Sequence, residues 1–143
     1  MNFMIQNEYL CSHTSYKVIN HRNEILVTRK ARNFNNFNSL IKSCDIGLST
    51  AMINKEIFSE KIKFPKIKTK EDFVFWLEIL KQNIKIGGLD KELTFWRKIQ
   101  NSLSSSTIQK LVDGYRVYNT YMKFSMFKSI YYLLCLSINY LKK

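Results

Sequence analysis

The stretch from Thr69 to Leu80 limits the fold of this chain more than any other. Thr69-Lys70-Glu71-Asp72 has the pattern of a capping box, with Thr69 as the expected N-cap. Behind it, Phe73, Trp76, Leu77 and Leu80 fall at i, i+3, i+4 and i+7, the spacing of one buried helix face. A helix loaded in this way is stable mainly through what its apolar face packs on. A partner layer is written near the front of the chain. Residues 11–19 alternate, with Ser12, Thr14, Tyr16 and Val18 on one side and Cys11, His13, Ser15, Lys17 and Ile19 on the other. That period predicts a strand. A polar turn over 20–24 and a second strand over 25–28 complete a hairpin.

The remaining segments read as a short helix at 2–9, a helix at 34–44, a small-residue strand or loop at 48–53 and one helical turn at 55–58. Residues 59–70 are a lysine-studded loop holding the only proline, Pro65. The helix opened by Glu71 stops near Asn83; a strand at 84–86, a turn at Gly87-Gly88 and a strand at 93–99 follow. After a polar loop at 100–106, Ser106-Thr107-Ile108-Gln109 is a second capping box. Helical spacing then runs to about Met122, and a last helix covers 125–141. This order predicts a mixed α/β fold with two helices at the C-terminal end. No repeat or boundary interrupts it before about Leu103, so residues 1–103 form the main unit and 104–143 a helical extension.

Composition narrows the function classes. The 143 residues suit about one domain, and 45% apolar with 14% aromatic residues exclude a disordered tail. Cys11, Cys44 and Cys135 are widely spaced, and neither a C-x-x-C motif nor a Cys/His cluster exists. That supports neither a disulfide framework nor a zinc site and suits a reducing compartment. His13 and His21 have no ligand-like neighbours in sequence and read as surface or hairpin residues. The net charge of +12 favours anionic partners: sugar nucleotide, acidic lipid or nucleic acid. Arg-rich motifs interleaved with aromatics are absent, so nucleic acid is set aside.

Three local patterns then occur in order: Ile46-Gly47-Leu48-Ser49-Thr50-Ala51-Met52-Ile53 followed by Lys55-Glu56; Lys70-Glu71-Asp72-Phe73 with Trp76 and Leu77; and Phe95-Trp96-Arg97 followed by Asn101-Ser102-Leu103-Ser104. With the strand at 12–19, they resemble the C-terminal, acceptor-side half of a family 2 glycosyltransferase of the GT-A fold. The closest likeness is to bacterial enzymes of surface-polysaccharide synthesis, such as the teichuronic-acid type. The fold this implies is an incomplete GT-A-like mixed sheet. The activity it implies is inverting transfer from a nucleotide-sugar to a saccharide or lipid-linked acceptor.

The resemblance also implies roles. Asp72 is the general base that takes the proton of the acceptor hydroxyl; from the residues alone it is a first-turn acid that suits the helix dipole. Glu71 holds an acceptor hydroxyl or a structural cation, or is a solvated first-turn acid. Trp76 lines the acceptor site or belongs to the core. Arg97 faces the leaving diphosphate, which its planar fork suits, or is an edge-strand arginine. Ser102 and Ser104 add hydroxyl contacts or are plain loop residues. Ser49 and Thr50 approach the ligands from the sheet side or form an ordinary buried strand.

The family's donor half carries nucleotide-binding strands and an Asp-x-Asp motif for Mg²⁺ or Mn²⁺. The four aspartates here, Asp45, Asp72, Asp90 and Asp113, form no such motif. The expectation is therefore no cofactor in this chain and no transfer by it alone. A fragment, a split gene product with a donor-half partner, and a non-catalytic remnant that binds a membrane surface or a partner protein stay open. No secretory signal opens the chain, which predicts a cytoplasmic location. Residues 124–143 are apolar with Lys128, Lys142 and Lys143, and their uninterrupted stretch at 129–141 is too short to span a bilayer. They read either as a helix lying at the inner face of the cytoplasmic membrane or as one packed on the core or on a second copy.

Overall fold

The computed structural model describes residues 1–99 and 106–142. Its elements are α1 (Asn2–Gln6), β1 (Cys11–Ile19), β2 (Ile25–Arg29), α2 (Phe37–Leu40), β3 (Ala51–Ile53), α3 (Glu71–Lys81), β4 (Ile86–Arg97), α4 (Thr107–Arg116) and α5 (Met126–Leu141). Short 3-10 turns lie at Leu48–Thr50 and Lys55–Ile57, and a π turn at Val117–Tyr121 extends α4. The fold is α/β: a four-stranded mixed sheet flanked by helices, consistent with part of a GT-A-like fold.

β1 is the organising strand. β4 pairs with it in parallel from Cys11↔Ile86 to Ile19↔Arg97. The other edge of β1 is therefore shared, antiparallel to β3 at Cys11–His13 and antiparallel to β2 at Tyr16–Ile19. The register slips on either side of Ser15, where β4 takes up extra residues and bends. Ser15 secures this point: its hydroxyl donates to Asp90 at 2.7 Å and accepts the Ala31 N–H at 2.8 Å.

Gly87 and Gly88 lie inside β4, where the sequence predicted a turn between two strands. Neither has positive φ. They are needed for close approach instead. A Cβ on Gly88 would sit 2.4 Å from the Arg32 carbonyl carbon, and one on Gly87 would sit 2.4 Å from the Tyr9 ring. The segment after β2 runs along the outer edge of β4 there, with the Gly88 N–H donating to Asn33 and Phe34 bridged to Ile86.

α3 is buried on more than the one face its spacing predicted: Val74, Phe75 and Ile79 are enclosed along with Phe73, Trp76, Leu77 and Leu80. The extra burial comes from two directions. The 57–64 loop brings Phe64 onto Phe75, with ring centroids 4.2 Å apart. The C-terminal helices bring Tyr118 edge-on to Phe73 at 6.3 Å. Tyr118 is fully buried and its hydroxyl donates to the Ile41 carbonyl at 2.8 Å. Leu136 of α5 joins the same core, and Asn139 donates to the Lys42 carbonyl at 2.9 Å.

The helix expected at 34–44 shrinks to α2, because Phe34 is drawn into the bridge with β4 and Asn36 caps the helix, accepting from the Ser39 N–H at 3.0 Å. His13, expected at the surface or in the hairpin, lies in the hairpin strand β1. It is buried in β1, not on the surface, with Nε2 2.9 Å from the Arg32 carbonyl and its ring beside Phe34. Burial lowers its pKa, against the opposing effects of that hydrogen bond and of Asp45.

Candidate functional site

The N-terminus of α3 is the centre of the candidate site. Lys70 is the N-cap residue, in the left-handed region at φ 70° and without a side-chain cap bond. A lysine there is strained. Thr69 does not cap α3, contrary to the capping-box expectation. Its N–H and hydroxyl both donate to Asp113 Oδ2 of α4, at 3.1 and 2.9 Å. Gln109 donates to the same oxygen at 2.8 Å, and Arg116 lies 3.5 Å from the other. Burial alone would raise the Asp113 pKa, but these donors and the guanidinium outweigh it and hold the carboxyl below its usual range. Asp113 thus remains charged and fixes the backbone three residues before Asp72.

Asp72 is partly buried at the first turn of α3 and accepts the Phe73 N–H at 2.7 Å. Burial pushes its pKa up, the Glu71 charge adds to this, and the Phe73 N–H and Lys70 oppose it. Desolvation outweighs the helix-terminal donors, so the carboxylate is more basic than a solvated one. Glu71 stands beside it, half-buried.

Tyr16 lies within electrostatic range of Asp72. Burial first, then the charges of Asp45 and Asp72 among others, raise its pKa against Arg29. Its ring lies against Gly47, at ordinary van der Waals distance from where a Cβ would stand. The Thr50 hydroxyl, buried, donates to the Gly47 carbonyl at 2.7 Å, while Ser49 is exposed. Alternation along β1 puts Thr14 on the same side as Tyr16, and its buried hydroxyl has no hydrogen-bond partner among the described residues.

The other expected residues lie elsewhere. Trp76 is fully enclosed, its ring against Phe75 at 5.1 Å and its buried indole N–H without a partner among the described residues. It presents no face to a ligand and sits in the core. Arg97 is exposed at the end of β4, donating to the Asn20 carbonyl at 3.0 Å, so it ties the strand to the hairpin turn. Ser102 and Ser104 lie outside the described residues. Tyr16 and Asp113 were not picked out from sequence. Alternation placed Tyr16 in a strand, but nothing local marks its approach to Asp72, and Asp113 is 44 residues from Thr69.

Comparison with known proteins decides the relationship. The chain is 34% identical over 96 residues to an uncharacterized glycosyltransferase of Rickettsia felis, covering 66% of this chain and 16% of that protein. It is 27% identical over 107 residues to a Bacillus subtilis glycosyltransferase named for teichuronic acid biosynthesis, covering 75% and 42%. This chain is related to bacterial glycosyltransferases. A third relative is the Escherichia coli UDP-Glc:alpha-D-GlcNAc-diphosphoundecaprenol beta-1,3-glucosyltransferase, 29% identical over 138 residues, covering 94% of this chain and 52% of that enzyme. The chain thus spans at most about half the length of these relatives. No family model and no solved structure matches it.

Glycosyltransferases of the resembled type use a divalent cation on the donor diphosphate. Among the described residues no three His, Cys, Asp or Glu side chains are grouped as a metal site requires.

Proposed function

We propose that this glycosyltransferase-related chain forms the acceptor side of an inverting, family 2, GT-A-type transferase of polysaccharide or glycolipid synthesis, with Asp72 as general base. The observation that carries the reading is the state of Asp72: a carboxylate at a helix start, made more basic by burial and held in place by the Asp113 clamp on Thr69. A base needs that combination, a raised proton affinity and a fixed position.

In the proposed reaction, Asp72 takes the proton of an acceptor hydroxyl. The acceptor oxygen forms its bond to the anomeric carbon from the side opposite the nucleotide. The bond to the diphosphate oxygen breaks, the nucleoside diphosphate leaves with the electron pair, and the configuration inverts. Tyr16, Thr50, Ser49 and Glu71 line the acceptor approach, and the partnerless Thr14 hydroxyl lies on the Tyr16 side of β1. Arg97 and Ser102 are assigned to the donor phosphates by the family resemblance alone, Arg97 being held at the Asn20 turn in this structure. The donor-binding and metal-binding residues come from a donor half, in the same polypeptide or a partner. The relative from E. coli supports a UDP-sugar donor and a diphosphoundecaprenol-linked acceptor.

The test is release of nucleoside diphosphate from a panel of UDP-sugars, with Mg²⁺ or Mn²⁺ and a diphosphate-linked GlcNAc acceptor. It is run on this chain alone and on the product of the reading frame extended upstream. The extended product turns over, and Asp72→Asn lowers kcat by roughly 10²–10⁴-fold. Turnover that survives Asp72→Asn removes Asp72 as the base.

A further inference from the structure

α5 is apolar on two opposite faces. One face is spent inside the molecule: Ser129 and Leu136 are buried, and Tyr132 and Leu133 pack on the core. On the other, Phe127, Ile130, Tyr131, Leu134, Ile138 and Leu141 are all exposed, Phe127 at 79% and Leu141 at 82%. At 100° per residue these six fall within an arc of about 100° centred opposite Leu136. They form a continuous stripe along a helix roughly 24 Å long. Neighbouring α4 leaves Ile108, Leu111 and Val112 exposed as well.

Every charged side chain from residue 114 to residue 142 is basic. Lys42 lies over the Tyr131 ring, Lys110 over Tyr140 and Lys128 over Phe124. Lys123 and Lys142 flank the two ends of α5. No Asp or Glu occurs after Asp113, which is itself buried. A second copy seated here would press one lysine rim against another. No described helix is long and apolar enough to cross a bilayer, so this face can only lie along one. An apolar stripe with aromatic members and a cationic rim matches acyl chains beneath anionic headgroups.

We infer that the outer face of α5 is a docking surface for an anionic phospholipid bilayer, seated parallel to the membrane plane with its lysines among the headgroups. This inference does not depend on the proposed catalytic reading.

The test is flotation of the full chain with phosphatidylcholine vesicles, with and without 30% phosphatidylglycerol, at 150 mM and 500 mM salt. The expected result is flotation with the anionic vesicles only, weakened several-fold by the higher salt. Phe127→Ser with Leu134→Ser, both at exposed positions, lowers the bound fraction by about tenfold while circular dichroism stays unchanged. Lys128→Glu with Lys142→Glu gives a comparable loss. Equal binding to neutral vesicles, no flotation, or flotation indifferent to the paired serine substitutions overturns the inference. So does a dimer in sedimentation velocity that the serine pair dissociates while vesicles bind neither form. The salt and lipid arms use the wild-type chain, so the inference is tested even where a variant misfolds.

Discussion

Two acids at one site, Asp72 partly buried and Asp113 fully so, titrate in opposite senses. The Asp72 pKa is raised in the fold, so its stabilising contribution is present below the unfolded value near 3.8 and lost as pH rises through the folded one. At neutral pH its charge therefore opposes folding. Asp72→Asn should keep or raise the melting temperature at pH 7 even as it removes the proposed activity, and the gain should vanish below pH 4. Asp113 has the opposite sign: its contribution is present above 3.8 and lost as pH falls through its lower folded pKa. Asp113→Ala strands the Thr69 and Gln109 donors and should cost about 3 kcal/mol in urea unfolding at pH 7, with Asp113→Asn costing less. His13 is held neutral by burial, below its ordinary 6.5. As pH falls through 6.5 the unfolded chain gains a proton that the native chain refuses, so stability falls. Urea midpoints at pH 7.5 and 5.5 should show this drop, and His13→Gln should flatten it.

The two glycines of β4 separate side-chain from backbone constraint. An alanine methyl at 87 meets the Tyr9 ring, which can swing aside, whereas one at 88 meets the Arg32 backbone. Gly88→Ala should therefore cost about 2–3 kcal/mol and Gly87→Ala about 1 kcal/mol or less, compared by thermal melts. Both were legible as turn-forming residues, and that is where local interpretation failed. Glycine marks either a turn or a close approach, and only the neighbouring segment tells them apart. The helices fared better. α3 and α5 follow their apolar spacing to within a few residues. Ser106 does cap α4, its hydroxyl accepting the Gln109 N–H at 3.3 Å.

Sheet and C-terminal helices share one core around α3, joined through Tyr118, Leu136 and the Asp113–Thr69 contact. A molecule so connected should unfold in a single transition, with far-ultraviolet circular dichroism and Trp fluorescence coinciding. Trp76→Phe, which removes the partnerless indole N–H, should change stability little, while Trp76→Ala should cost about 3–5 kcal/mol. Two separate transitions would favour treating residues 1–103 and 104–143 as independent units. The sequence by itself determined the periods: alternation made β1 a strand, apolar spacing made α3 a core helix, and the absence of acids after Asp113 left α5 with a cationic rim. It also carried the glycosyltransferase likeness and, through it, Asp72. Only the tertiary structure decided where Thr69 sends its hydrogen bonds, that His13 is buried, that Trp76 faces inward, and that Tyr16 and Asp72 share a field. The physical reason is range. Backbone propensity and periodicity act within a few residues, but burial, and the pKa shifts it brings, depend on which distant segments pack against a group.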